Sequence, residues 1–182
     1  MTTFELFKNV FKGEIIEPSS PEYSEAIACW AKNAERNARY VLFPSDEQDV
    51  SEAVKFATTI NLPLAVKSGG HNPSGASSVD DGVSMDLNKH LDEVRIDSER
   101  NLAYVGGGAL WRTVDSAAIK HGLATPGGTV NYTGVGGLIL AGGFGYLTGK
   151  HGLTIDNVIQ ATVVLADGST PPLKLLILNF SS

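Results

Sequence analysis

Fourteen of the chain's twenty glycines fall between Gly106 and Gly152, and no other feature limits the fold as strongly. Within this region Gly122 to Gly149 is an uncharged run of 28 residues, ten of them glycine, interrupted by Pro126. Such a segment cannot form a membrane helix or any long regular element. Glycine is this dense where the backbone turns through positive φ or passes close to something else. Two readings follow: a lining for a bound molecule, or a string of tight turns in a compact sheet.

At 182 residues, 42% of them hydrophobic, the chain is long enough to bury a real core. The balance of 14 basic and 20 acidic residues gives a net charge of −6, which argues against the broad basic face of a nucleic-acid binder. One cysteine, Cys29, excludes an intrachain disulfide and any multi-cysteine metal site, and no metal is expected. Packing in the core is its expected role. Glu5 and Lys8 interrupt the apolar residues at the N-terminus, so no secretory signal is visible and a cytoplasmic protein with no membrane partner is expected.

Periodicity outlines the elements. Ser20-Pro21 followed by Tyr23, Ala26, Ile27, Trp30 and Ala34 predicts an amphipathic helix. Tyr40 to Phe43 predicts a strand, Ser45 with Gln48 a capped helix buried along Val50, Ala53, Val54 and Ala57, and Leu64 to Val66 a second strand. Strand, helix and strand over residues 40 to 67 form an economical parallel crossover unit. Beyond residue 80 alternation at Val83, Met85 and Leu87, at Val94 and Ile96, and over Leu102 to Val105 predicts antiparallel strands. A helix over Leu110 to His121 stopped by Gly122, and a strand over Val158 to Ala166 ending at the Asp167-Gly168 turn, complete the outline.

Most site motifs fail. Gly143-Phe144-Gly145 has Thr148 where a dinucleotide fingerprint needs its third glycine, and Gly149-Lys150 lacks the other P-loop residues. No nucleophile elbow and no metal-binding histidine pair is present. His90, His121 and His151 are read as ordinary surface or core residues. What stands is Lys67-Ser68-Gly69-Gly70-His71-Asn72-Pro73-Ser74-Gly75, directly after a strand. Its glycines can turn backbone amides toward an anion, Ser68, Asn72 and Ser74 add short donors, and His71 offers a neutral imidazole near pH 7 as nucleophile or proton carrier.

This segment, together with Thr125 to Gly137 and Ala141 to Leu153 followed by Asp156-Asn157, closely resembles the FAD-linked oxidases. The resemblance runs from about Arg39 to Gly168, to the PCMH-type flavin domain of the vanillyl-alcohol oxidase superfamily, and within it to the berberine bridge enzyme-like branch that includes fungal FAD-linked oxidoreductases. It implies an α+β fold, with a small βαβ subdomain, a larger mixed or antiparallel sheet subdomain and FAD between them. It implies that His71 is joined covalently to the 8α position of FAD and that Ser68, Gly69, Gly70, Asn72 and Gly75 line the pyrophosphate side. Gly128, Val130, Thr133, Gly134, Gly136 and Gly137 would pass close to the ring and ribityl chain, with Gly142, Gly143 and Gly145 continuing along the cofactor. Doubly linked members carry a cysteine where Val130 stands, so a single bond is expected.

The resemblance further implies hydride transfer from a small hydroxyl- or amine-bearing substrate, with a catalytic base supplied by a domain this chain lacks. Residues 1–35 are then an N-terminal arm and helix, 36–170 the flavin domain, incomplete at its C-terminal end, and 171–182 a tail unlike the family. The tail is apolar and β-prone, an aggregation hazard if unpaired, and self-association through it or through an open sheet edge is expected. The alternative is a truncated, non-catalytic remnant that binds FAD weakly or serves only as an interaction module.

Overall fold

A computed structural model describes residues 2–170 and 176–180. The chain opens with α1 (Thr3–Val10), whose first turn is capped by the Thr2 hydroxyl accepting from the Glu5 amide at 3.2 Å. Phe7 of this helix stacks on Phe56 at 4.2 Å between centroids. After β1 (Glu14–Ile16) the expected helix over residues 20 to 34 is reduced to the single turn α2 (Tyr23–Ala26) and a 3-10 turn at Lys32–Ala34. The carbonyls of Ala26 and Ala28 are instead taken by the Lys67 ammonium, at 3.0 Å each, and the Trp30 amide by the Gly70 carbonyl at 3.1 Å. Tertiary partners have replaced the helical ones, and Trp30 is 61% exposed rather than inward. Cys29 is half-buried, its thiol directed to the Ile27 carbonyl.

Next come β2 (Tyr40–Phe43), α3 (Glu47–Thr59), β3 (Leu64–Lys67) and β4 (Val83–Asp86). Asp46, not Ser45, caps α3, accepting from the Asp49 amide at 2.9 Å. The buried Asp49 carboxylate then receives the amides of Lys12, Gly13 and Ser45, tying α1 and β1 to this helix. The first sheet has the order β1-β2-β4-β3. β2 and β3 are parallel as expected, but each pairs with β4, which lies between them. The antiparallel reading of Val83 to Leu87 is therefore corrected. Ser84 and Asp86 face inward as well as Val83 and Met85, because this central strand is covered on both sides.

The second sheet contains β5 (Val94–Asp97), β6 (Leu102–Val105), β7 (Val158–Gln160) and β8 (Leu176–Asn179), in the order β5-β6-β8-β7. All its pairings are antiparallel. The strand expected over Val158 to Ala166 stops at Gln160, which pairs with Ile177 of β8. The described part of the tail is not an unpaired strand. β8 is interior, and Leu178 and Phe180 are buried against Ala103, Val105, Trp111 and Val114. Residues 171–175 and 181–182 lie outside the described residues. Between the strands lie α4 (Trp111–Ala118), closed by Gly122 at φ 67°, then α5 (Val135–Leu140) and α6 (Thr148–His151). No described helix is long and apolar enough to cross a membrane.

Candidate functional site

The loop after β3 begins at a buried charge. Lys67 pairs with Asp86 at 2.9 Å, with both side chains about nine-tenths buried. Its two further bonds to Ala26 and Ala28 satisfy the ammonium and pin the root of the loop to the N-terminal arm. From there Ser68, Gly69 and Gly70 run against the start of α5. A Cβ on Gly69 would strike the backbone of Thr133 and Gly134, and one on Gly134 would strike the Ser68 hydroxyl and the Gly69 amide. Two main chains touch here because neither carries a side chain. The Ser68 hydroxyl is buried in this contact without a hydrogen-bond partner.

The other predicted residues extend the same cluster. Gly128 faces Thr133, Leu138 and the Trp111 indole, whose buried Nε1 is also without a partner. Val130 is part-exposed, and the Thr133 hydroxyl donates to its carbonyl at 2.7 Å. The Asn131 and Thr133 carbonyls accept from the Arg112 and Trp111 amides, holding this segment on α4. Gly136 lies on the Gly107 carbonyl, and Gly143 on Thr154. A Cβ on Gly145 would overlap the Gly127 carbonyl, so the third glycine segment seats on the second. Gly142 lies near Leu153, whereas Gly137 faces open space. The three motifs thus meet in one place.

Asn72 Oδ1 accepts from the Ser74 and Ala76 amides at 2.9 and 3.2 Å, which folds the loop on itself before Gly75 at φ 85° and leaves the Nδ2 group to donate. His71 is half-buried, and among the described residues no hydrogen bond or ion pair reaches its imidazole. Two rings touch it instead. Trp30 stacks at 5.1 Å and 19°, and Tyr132 tilts against it at 4.9 Å and 44°. Burial pushes the imidazole below its ordinary value of 6.5, so the ring is neutral near pH 7. Trp30 was missed in the sequence because its spacing fits an inward helix face.

These residues fit an extended cofactor with a pyrophosphate. Partnerless Ser68 Oγ and the positive-φ turn at Gly70 suit an anion, and the open face at Gly137 leaves space beside the cluster. A separate cavity of about 610 Å³ is lined by Glu14, Glu22, Glu25, Asp86 and Lys89. Its excess of carboxylates opposes a phosphate there.

Comparison with known proteins agrees with this geometry. The family model for the FAD binding domain matches residues 38–171. The FAD-linked oxidoreductase pgmH of Aspergillus terreus is 42% identical over 153 residues, covering 84% of this chain and 31% of that protein. The (R)-6-hydroxynicotine oxidase of Paenarthrobacter nicotinovorans is 34% identical over 157 residues, covering 86% and 34%. The chain therefore spans about a third of the length of the curated relatives it matches. Among solved structures, 6-hydroxy-D-nicotine oxidase from Arthrobacter nicotinovorans superposes with a TM-score of 0.89 at 28% identity, over 93% of this chain and 42% of that one. The glucooligosaccharide oxidase of Acremonium strictum, which carries a 6-S-cysteinyl, 8α-N1-histidyl FAD, shares the fold with a TM-score of 0.87 at 23% identity, over 99% and 42%. By fold, glycine motifs and sequence, the chain belongs to the FAD binding domain family, and its curated relatives include FAD-linked oxidoreductases.

Proposed function

We propose that this chain is the flavin-binding portion of an oxidase that removes a hydride from a small hydroxyl- or amine-bearing molecule, with FAD joined through one bond to His71. The observation that carries this reading is the convergence of three glycine segments beside an imidazole that no hydrogen bond holds. Ser68 Oγ and the amides of Gly69 and Gly70 would hold the pyrophosphate, and the Gly128 to Gly137 segment would pass the ring and ribityl chain. When bound, the flavin supplies a two-electron acceptor. Val130 offers no thiol where doubly linked members carry a cysteine, so the reading takes a single bond, through His71. The neutral His71 imidazole would give its lone pair to the 8α carbon and lose its N–H proton, while the flavin itself would supply the two-electron acceptor that the loss of the 8α C–H requires.

The test is to purify the chain with added FAD, precipitate it in acid and record the visible spectrum of the washed pellet beside a His71→Ala variant. Yellow retained by the parent and absent from the variant supports the assignment. A colourless pellet from folded protein overturns the covalent bond. Colour released into the supernatant would then leave a non-covalent FAD module.

A further inference from the structure

The ring stack on His71 joins parts of the chain far apart in sequence. Trp30 lies on the N-terminal arm, outside the matched residues 38–171 and outside every glycine motif. Its placement is nonetheless fixed. The Trp30 amide donates to the Gly70 carbonyl, immediately before His71, and the carbonyls on either side of Ile27 are held by buried Lys67. Tyr132 arrives from a different direction in the chain, on the segment whose neighbouring carbonyls at Asn131 and Thr133 are tied to α4. Both residues are exposed, yet each ring meets the imidazole. Since no hydrogen bond among the described residues orients that imidazole, these contacts are what limits its rotation.

We propose that Trp30 and Tyr132 are positioning residues, whose rings hold the His71 imidazole in the plane in which it is joined to the flavin. The proposal rests on the covalent reading given above. A reacting nitrogen free to swing loses much of the advantage of being held close, and small misplacements of reacting groups lower rates strongly. Burial against the rings also favours the uncharged imidazole, the form with a lone pair to give.

The experiment uses the full chain with Trp30→Ala, Trp30→Phe and Tyr132→Ala, following acid-stable flavin in the pellet with time and FAD released into the supernatant. Tryptophan emission across pH 5–8 supplies a second readout, because a protonated imidazole stacked on an indole quenches it. The chain has two tryptophans, and the Trp30→Phe spectrum isolates the contribution of Trp111. We expect Trp30→Ala to attach flavin on the order of tenfold more slowly or worse while still taking up FAD, and Trp30→Phe to stay close to the parent. Parent emission should fall with acidification, and His71→Ala should abolish that fall. Attachment at the parent rate in Trp30→Ala, or emission indifferent to His71, would overturn the positioning role alone. A colourless parent pellet would refute the covalent reading and with it the purpose assigned to both rings.

Discussion

Replacing Leu178 by alanine tests whether the strand at residues 176–179 truly completes the second sheet. Leu178 is fully buried, packed in the cluster formed by Ala103, Val105, Trp111, Val114 and Phe180, and its backbone pairs with Ala103 and Val158. The substitution removes three carbons, worth about 0.8 kcal/mol each in transfer free energy, or about 2.4 kcal/mol. The neighbours are held by two strands and α4, so the cavity closes only in part and raises the cost to about 3–5 kcal/mol. For a domain of this size that corresponds to roughly 6–20 °C in Tm, at about 2–4 °C per kcal/mol. The assay is urea unfolding followed by circular dichroism, with Ile159→Ala as the control. Ile159 is 59% exposed on β7, and its truncation should change stability by less than about 0.5 kcal/mol. A midpoint for Leu178→Ala within that same margin would show that residues 176–179 are not in the sheet.

Three further outcomes follow from the site. Gly134→Ala should lower stability by about 1–3 kcal/mol, because its Cβ meets the Gly69 backbone as well as the Ser68 side chain. FAD uptake should fall with it, measured by flavin fluorescence quenching. Gly137→Ala, in the same helix but facing open space, should stabilise the fold by up to about 1 kcal/mol, as seen in thermal melts. The depressed imidazole predicts a pH effect of definite sign. Between the folded value and 6.5 the unfolded chain binds more protons, so stability is complete above 6.5 and declines as the pH falls through that window. Urea midpoints of the parent minus those of His71→Ala should show this slope, and a flat difference would contradict a neutral, part-buried ring.

What the sequence revealed follows from which forces act locally. α4 and its stop at Gly122 were legible because periodicity and a left-handed terminator lie within a dozen residues. The segment from Ser20 to Ala34 misled for the opposite reason. Its apolar spacing is helical, but Lys67 and Gly70 capture the backbone groups a helix would need. β4 was read as antiparallel because Ser84 and Asp86 alternate with Val83 and Met85. A carboxylate is tolerated inside because Lys67 pairs with it. α1 escaped notice since its apolar face, with Phe7 on Phe56, is defined by a partner far along the chain. At the site, the glycines announced close approach. No local signal could reveal that Trp30 would reach His71, because that contact exists only once the arm is docked.

The interior position of β8 sets an order of assembly. Every strand of the first sheet has emerged by Asp86, so that half can mature while the remainder is still being synthesised. The second sheet cannot follow suit. β6 keeps an open edge and β7 has no neighbouring strand until residues 176–179 arrive. Pairing across so long an interval of chain is slow, and open edges are where nascent chains adhere to one another. The yield of native protein therefore depends on how quickly four late residues slot between two waiting strands, while the first sheet stands already formed.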